Sequence, residues 1–208
     1  MKGLFVTLEG PDGSGKSTVA QGLKDRLDRA SIPYCMTREP GGTTIAEKIR
    51  SIILDVDNEE MDARCEALLY AASRAQHTEK LIIPNLQEGN LVISDRYMLS
   101  SIAYQGAGRE LGMDIVEKIN LFATQHLDPD LILFLDVDPI TVLKRKAAQA
   151  EQDRLELAGD DFHNRVYEGY QAAMKKAKNV VVIDARQGPD DVIEQAWTEI
   201  EKKWREKQ

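Results

Sequence analysis

Residues 4–17 read Leu4-Phe5-Val6-Thr7-Leu8-Glu9-Gly10-Pro11-Asp12-Gly13-Ser14-Gly15-Lys16-Ser17, an apolar run passing through a glycine-rich loop into a segment patterned as a helix. That succession of strand, loop and helix decides the fold. The residues from Gly10 to Ser17 fit G-x-x-x-x-G-K-[ST], and chemistry explains each residue type. Glycines let backbone N–H groups turn inward around phosphate oxygens, and the N-terminus of the following helix adds its positive end. Lys16 places a mobile charge between β- and γ-phosphates, while the Ser17 hydroxyl serves Mg²⁺ bridging the same two groups. Gly10, Pro11, Asp12, Gly13, Ser14, Gly15, Lys16 and Ser17 are therefore expected to hold ATP. Thr18 is a lesser candidate, with packing or capping as its simpler reading.

Outward from this loop, compact apolar runs alternate with longer amphipathic segments, the sequence form of a parallel sheet flanked by helices. Strands are expected at Leu4 to Leu8, Tyr34 to Thr37, Leu91 to Ser94, Leu131 to Val137 and Val180 to Ile183. Helices are expected at Lys16 to Ala30, Thr44 to Leu54, Ala63 to Leu86, Asp114 to Thr124, Pro139 to Ala150, Asp160 to Ala177 and Pro189 to Arg205. The expectation is one α/β domain over residues 1–208, a five-stranded parallel sheet flanked by helices of the P-loop kinase type, with a mobile helical lid near 144–160. Trp197 and Trp204 lie seven apart on one helical face, which suits packing.

Composition narrows the classes. Apolar residues at 42% and charged residues at 30% are ordinary for a globular chain. A net charge of −8 argues against extended nucleic-acid binding, which needs a basic face. No apolar run approaches the roughly 20 residues that span a bilayer, and the start lacks a signal-peptide cleavage site; cytoplasm is the expected location. The two cysteines, Cys35 and Cys65, lack metal-type spacing and are expected as thiols.

The loop leaves the phosphoryl acceptor open. No Asn-Lys-x-Asp element for guanine is present, which argues against a GTPase. Three further segments concentrate charge or glycine beside strand ends, where open parallel sheets bind ligands, or on the third helix. Arg38-Glu39-Pro40-Gly41-Gly42-Thr43 follows the second strand, and Asp95-Arg96-Tyr97, with Ser100-Ser101 and Tyr104-Gln105-Gly106, follows the third. Tyr70 to His77 includes Arg74, four residues from Tyr70 and so on one helical face.

Together these segments resemble the thymidylate kinase family, in the family's order and over nearly the whole chain. The resemblance implies transfer of the γ-phosphoryl group from ATP to dTMP in deoxythymidine nucleotide synthesis, with Mg²⁺, by a homodimer. It implies that Tyr70 stacks on thymine, that Arg74 hydrogen-bonds the base, and that Ser101 and Gln105 line its edge. Tyr104 falls where the sugar is checked for a missing 2′-hydroxyl. Asp12 matches the acid that holds the 3′-hydroxyl, and Arg38 and Arg96 match arginines on the acceptor phosphate. Asp95 matches the acid supporting the magnesium shell, while Glu9 stands evenly between a structural and a functional reading. Ser73 departs from members with an acid before the arginine, a change expected to affect helix contacts. His77 reads as structural, and His126 and His163 belong to no constellation.

Charge on the moving group must also be neutralised. Lys144-Arg145-Lys146 and Asp153-Arg154-Leu155-Glu156 fall where the family places its lid. Because no arginine lies between Gly10 and Lys16, Arg154 is the leading catalytic candidate there and Arg145 the second. Arg186 follows the last strand, where the family's adenine pocket lies. A kinase for another nucleoside monophosphate, a nucleotide-switched regulator and an inactive scaffold are the competing readings; intact Gly15, Lys16 and Ser17 weigh against the last.

Overall fold

The computed structural model describes residues 2–138, 141, 154–155 and 157–207. Five strands, β1 (Leu4–Glu9), β2 (Tyr34–Arg38), β3 (Leu91–Asp95), β4 (Leu131–Asp136) and β5 (Val180–Asp184), form one parallel sheet in the order β2-β3-β1-β4-β5. The central strand β1 is buried at all six positions, as expected for a parallel strand covered on both faces. Its alternation still sorts side chains by face. Leu4, Val6 and Leu8 pack with Val19, Leu23 and Leu27 of α1 (Lys16–Ala30) and with Val192, Ala196 and Ile200 of α8 (Pro189–Lys207). Trp197 and Trp204 join this layer, as their spacing implies. Each fully buried valine, leucine or isoleucine of this layer contributes about 1.5–3 kcal/mol.

The opposite face carries the site. There α2 (Thr44–Leu54), α3 (Ala63–His77), α5 (Met98–Ser101), α6 (Met113–Ala123) and α7 (Asp160–Met174) surround a second core containing Phe134, Tyr104, Phe162, Val166 and Tyr170, while α4 (Ile83–Glu88) packs through Leu86 with Phe5, Val92 and Tyr97. The single long helix expected from Ala63 to Leu86 is interrupted by a π-helical turn at Thr78–Ile82. Pro84, in the first turn of α4, has no N–H for an α-helical ladder, and the wider turn precedes it.

Other elements depart from expectation for physical reasons. Met98–Ser101 and the following π-helical Ile102–Gly108 form a helical segment, although Ser, Gly and Gln there read as a loop. Burial of Leu99, Ala103 and Tyr104 in the second core outweighs weak local propensity. Strands β1, β2, β3 and β5 each run one residue past the last expected position, because ladder pairing extends to polar ends: Arg38 opposite Asp95, Glu9 opposite Phe134 and Asp136 opposite Asp184. A charged residue hides a strand end from a hydrophobic pattern. The helix expected at 139–150 lies almost wholly outside the described residues.

Candidate active site

The glycine-rich loop leaves β1 and enters α1 through Gly15, which caps the helix at φ 94° with no side-chain cap, leaving first-turn N–H groups to a ligand. Gly10, at φ 145°, is bound by space as well: a Cβ there would stand 2.7 Å from the Leu135 carbonyl oxygen. Lys16 folds back inside the loop, its Nζ donating to the carbonyls of Gly10 (3.0 Å) and Pro11 (2.9 Å). Burial, reinforced by the Arg96 charge, lowers its pKa to about 8. A cavity of about 530 Å³ opens over the loop, lined by Asp12 to Val19 and reaching Ala185, Gln187 and Val192. Ser17 and Thr18 are exposed on its wall.

A second cleft, of about 210 Å³, lies between the ends of β2 and β3 and helices α2, α3 and α5. Arg38, Tyr70, Arg74, Arg96, Ser101, Tyr104 and Gln105 all line it, so the structure brings together the residues expected at the acceptor. Asp12, Ser17, Asp95 and Arg96 line both cavities. The two spaces therefore meet at one junction.

Arg96 is the centre of that junction. Its backbone sits at φ 73°, a left-handed conformation that costs a non-glycine residue about 1–3 kcal/mol. Three bonds hold it there: Arg96 N–H to the Leu8 carbonyl (2.9 Å), the Ser94 hydroxyl to the Arg96 carbonyl (2.8 Å), and Tyr97 N–H to Glu9 Oε1 (2.9 Å). The guanidinium donates to Gly10 O and to the hydroxyls of Ser100 and Tyr170, and pairs with Asp12. Tyr104 donates its hydroxyl to the other Asp12 oxygen at 2.6 Å. Glu9, fully buried, also accepts from the Ser100 hydroxyl at 2.5 Å. Burial raises its carboxyl to about 6, against the pull of Ser100 and Arg96; at neutral pH it is ionised and anchors the turn. In the structure Glu9 thus makes positioning contacts with Tyr97 and Ser100.

Arg74 is 2% exposed and its guanidinium is held by Glu39 (2.6 Å), Ser101 (2.8 Å), Asn120 and the Tyr97 carbonyl (2.9 Å). Four of its five N–H donors are used within the protein, so it frames the cleft with one to offer. Ser73, the departure noted in sequence, accepts from Gly41 N–H, a contact between helix and loop. His77 lies buried between Glu39 (2.9 Å) and Thr37 (2.7 Å), away from either cavity. Arg38 makes a two-pronged pair with Glu47, which holds that carboxyl near 2.

The two remaining arginines stand elsewhere than expected. Arg154 points away from the loop: its Nε donates to the Ile53 carbonyl (2.9 Å) and its guanidinium pairs with buried Glu66 (2.7 Å). It lines a separate pocket with Val56, Met61 and Arg109. A buried carboxylate is a stronger partner than open solvent, and it draws the side chain under the wall of the cleft. Arg145 lies outside the described residues. Arg186 pairs with Asp184 at 2.8 Å and is exposed, so the adjacent Ala185 and Gln187 line the far end of the loop cavity instead. Sequence reading missed Arg50, Glu39 and Glu66. Arg50 lies in the cleft from α2 and donates to Pro40 O; an arginine within an ordinary amphipathic helix carries no local sign of a ligand.

Comparison with known proteins agrees with this geometry. Residues 8–196 match the family described as Thymidylate kinase. A thymidylate kinase of Finegoldia magna is 54% identical over 192 residues, covering 92% of this chain and 95% of that protein. One from Lactobacillus acidophilus is 51% identical over 207 residues, covering 98% and 96%. With a match of this extent, and with both cavities built from the residues that the resemblance named, the chain belongs to the thymidylate kinase family.

Proposed function

We propose that this protein transfers the γ-phosphoryl group of ATP to dTMP, giving dTDP and ADP, in deoxythymidine nucleotide synthesis in the cytoplasm. The observation that carries the reading is the junction of a P-loop cavity with a cleft framed by Tyr70, Arg74 and Gln105 at Asp12, Ser17, Asp95 and Arg96. Among the described residues no helix is long and apolar enough to cross a membrane.

In the donor cavity the 10–17 loop wraps the triphosphate and Lys16 moves from its carbonyls to the β- and γ-phosphates, a stronger, charge-assisted set of partners. Thr18 closes the first turn, and Ala185 with Gln187, rather than Arg186, borders adenine. In the cleft Tyr70 stacks on thymine, Arg74 and Ser101 hold the base edge with Gln105, and Arg38, Arg50 and Arg96 meet the acceptor phosphate. Asp12, linked to Tyr104, receives the 3′-hydroxyl. The donor set also fits Mg²⁺: Asp95 Oδ1 is buried with no hydrogen-bond partner among the described residues, and the Ser17 hydroxyl opens on the same cavity. Both are hard oxygen donors, as that ion requires, and bound there it would neutralise charge on the β- and γ-phosphates. Because Glu66 and Ile53 occupy Arg154, we assign the lid charge over the moving group to Arg145 and leave Arg154 as a support of the cleft wall.

An ADP-release assay across dTMP, dUMP, dCMP, GMP and AMP tests the reading. Turnover of dTMP should exceed that of dCMP, GMP and AMP by roughly a hundredfold, since a site built around base hydrogen bonds rejects the wrong edge. Equal use of a purine monophosphate would reject it.

The protein is further proposed to act as a homodimer. Neighbouring helices α2, α3 and α6 expose Ile45, Ile52, Leu68, Ile115 and Phe122, the last at 86%. A two-fold interface counts each substitution twice, so Phe122→Lys should weaken self-association by roughly a hundredfold or more. Sedimentation equilibrium measures this; an unchanged dimer would place the interface elsewhere, and a monomeric parent protein would end the proposal.

A further inference from the structure

We propose that Glu66 sets base selectivity by fixing which end of the Gln105 amide faces the acceptor cleft. The inference rests on the reading of that cleft as a thymidylate site. Glu66 stands on α3, fully buried. Its Oε1 accepts from Gln105 Nε2 at 3.0 Å and from Arg109 Nε at 3.3 Å. Its Oε2 accepts from Arg109 at 3.1 Å and from Arg154 at 2.7 Å. Burial pushes this carboxyl up, but the bonds from Gln105, Arg109 and Arg154 outweigh that and hold it below the ordinary range.

An ionised carboxylate only accepts hydrogen bonds, so the amide of Gln105 must turn its NH₂ toward Glu66. The amide carbonyl is then the end left for a ligand. Gln105 is 1% exposed and lines the cleft beside Ser101 and Arg74, whose own bond to Ser101 occupies that hydroxyl as an acceptor. A carbonyl oxygen at this edge suits the N3–H of thymine or uracil. It opposes the bare N3 of cytosine, which would leave two acceptors facing each other in a desolvated space. Two guanidinium groups on Glu66 thus act on the base through one amide: they keep the acid ionised, the acid orients the glutamine, and the glutamine selects the edge. Glu66 is a positioning residue in this scheme.

The test compares kcat/KM for dTMP and dCMP in the parent protein and in Glu66→Gln. A neutral glutamine at 66 either donates or accepts, so Gln105 is free to turn. The dTMP:dCMP ratio should fall by roughly tenfold or more, whereas a merely structural defect lowers both substrates alike and leaves the ratio in place. In a Gln105→Leu background the same change at 66 should leave the ratio unmoved, because the group through which it acts is gone. An unchanged ratio in Glu66→Gln, with an active parent, overturns the role of Glu66 alone. A parent without dTMP turnover overturns the functional reading itself. Should Glu66→Gln fail to fold, the parent protein decides: the Gln105 Nε2 protons, assigned by their loss in the Gln105→Leu spectrum, should exchange slowly with water in the absence of ligand. Rapid exchange would mean that the amide is not fastened to Glu66.

Discussion

Lys16→Ala is expected to lower kcat by roughly a hundredfold or more, or about 2.7 kcal/mol of transition-state stabilisation. In the free protein Lys16 bonds to loop groups, the Gly10 and Pro11 carbonyls and the Ser14 hydroxyl, and lies buried. Those partners hold the side chain over the space that a triphosphate fills, so the full charge is delivered to a desolvated phosphoryl group. The same burial makes the charge conditional on pH. With a pKa lowered to about 8, Lys16 carries its proton below that value and loses it above. The kcat/KM for ATP, which reports groups of the free enzyme, should therefore decline as pH rises through about 8. The sign for stability is opposite: burying the cation costs the fold most below pH 8, and this cost disappears as pH rises from about 8 to 10.5, the ordinary value. A large loss of activity in Lys16→Ala without loss of melting temperature at pH 7 is thus the expected pair of results. Turnover within threefold of the parent would reject the assignment.

How much of this was legible in the sequence follows from the range of each interaction. The 10–17 loop is contiguous and its constraint is local, so strand, loop and helix could be read together, and the five apolar runs gave the sheet. Tyr70 and Arg74 are four apart on one helix, and the structure does bring both to the cleft. Local pattern failed where the partner was remote. Arg154 reads as a lid cation because the resemblance places the lid there and no arginine lies between Gly10 and Lys16; only the fold brings it to Glu66, 88 positions away. Arg186 is drawn by an acid two residues off, a contact too ordinary to notice. The polar ends of the strands, Glu9, Arg38, Asp95 and Asp184, fall outside a hydrophobic run, yet backbone pairing includes them and sets their side chains along one edge of the sheet.

Arg96→Ala should be as damaging as the loss of Lys16, for a different reason. The guanidinium borders both cavities, so it is placed to meet the acceptor phosphate and the group that moves onto it. Charge on those oxygens is greatest as the phosphoryl group crosses, and removing a fixed donor there costs about 10²–10³ in kcat. The change also removes the guanidinium's pair with Asp12 and its bonds to the Ser100 and Tyr170 hydroxyls. KM for dTMP should therefore rise as well, while binding of ATP, held chiefly by the 10–17 loop, changes little. Arg96→Lys keeps the charge but cannot reach Gly10, Asp12, Ser100 and Tyr170 at once, so it should recover only part of the rate. Arg96→Gly separates backbone from side chain. Glycine adopts φ 73° without strain, so its melting temperature should match or exceed that of Arg96→Ala while kcat stays equally low. If Arg96→Gly instead recovers activity, the arginine matters through the turn it occupies and not through its charge. If Arg96→Ala keeps kcat within threefold of the parent, the junction of the two cavities is not where transfer occurs.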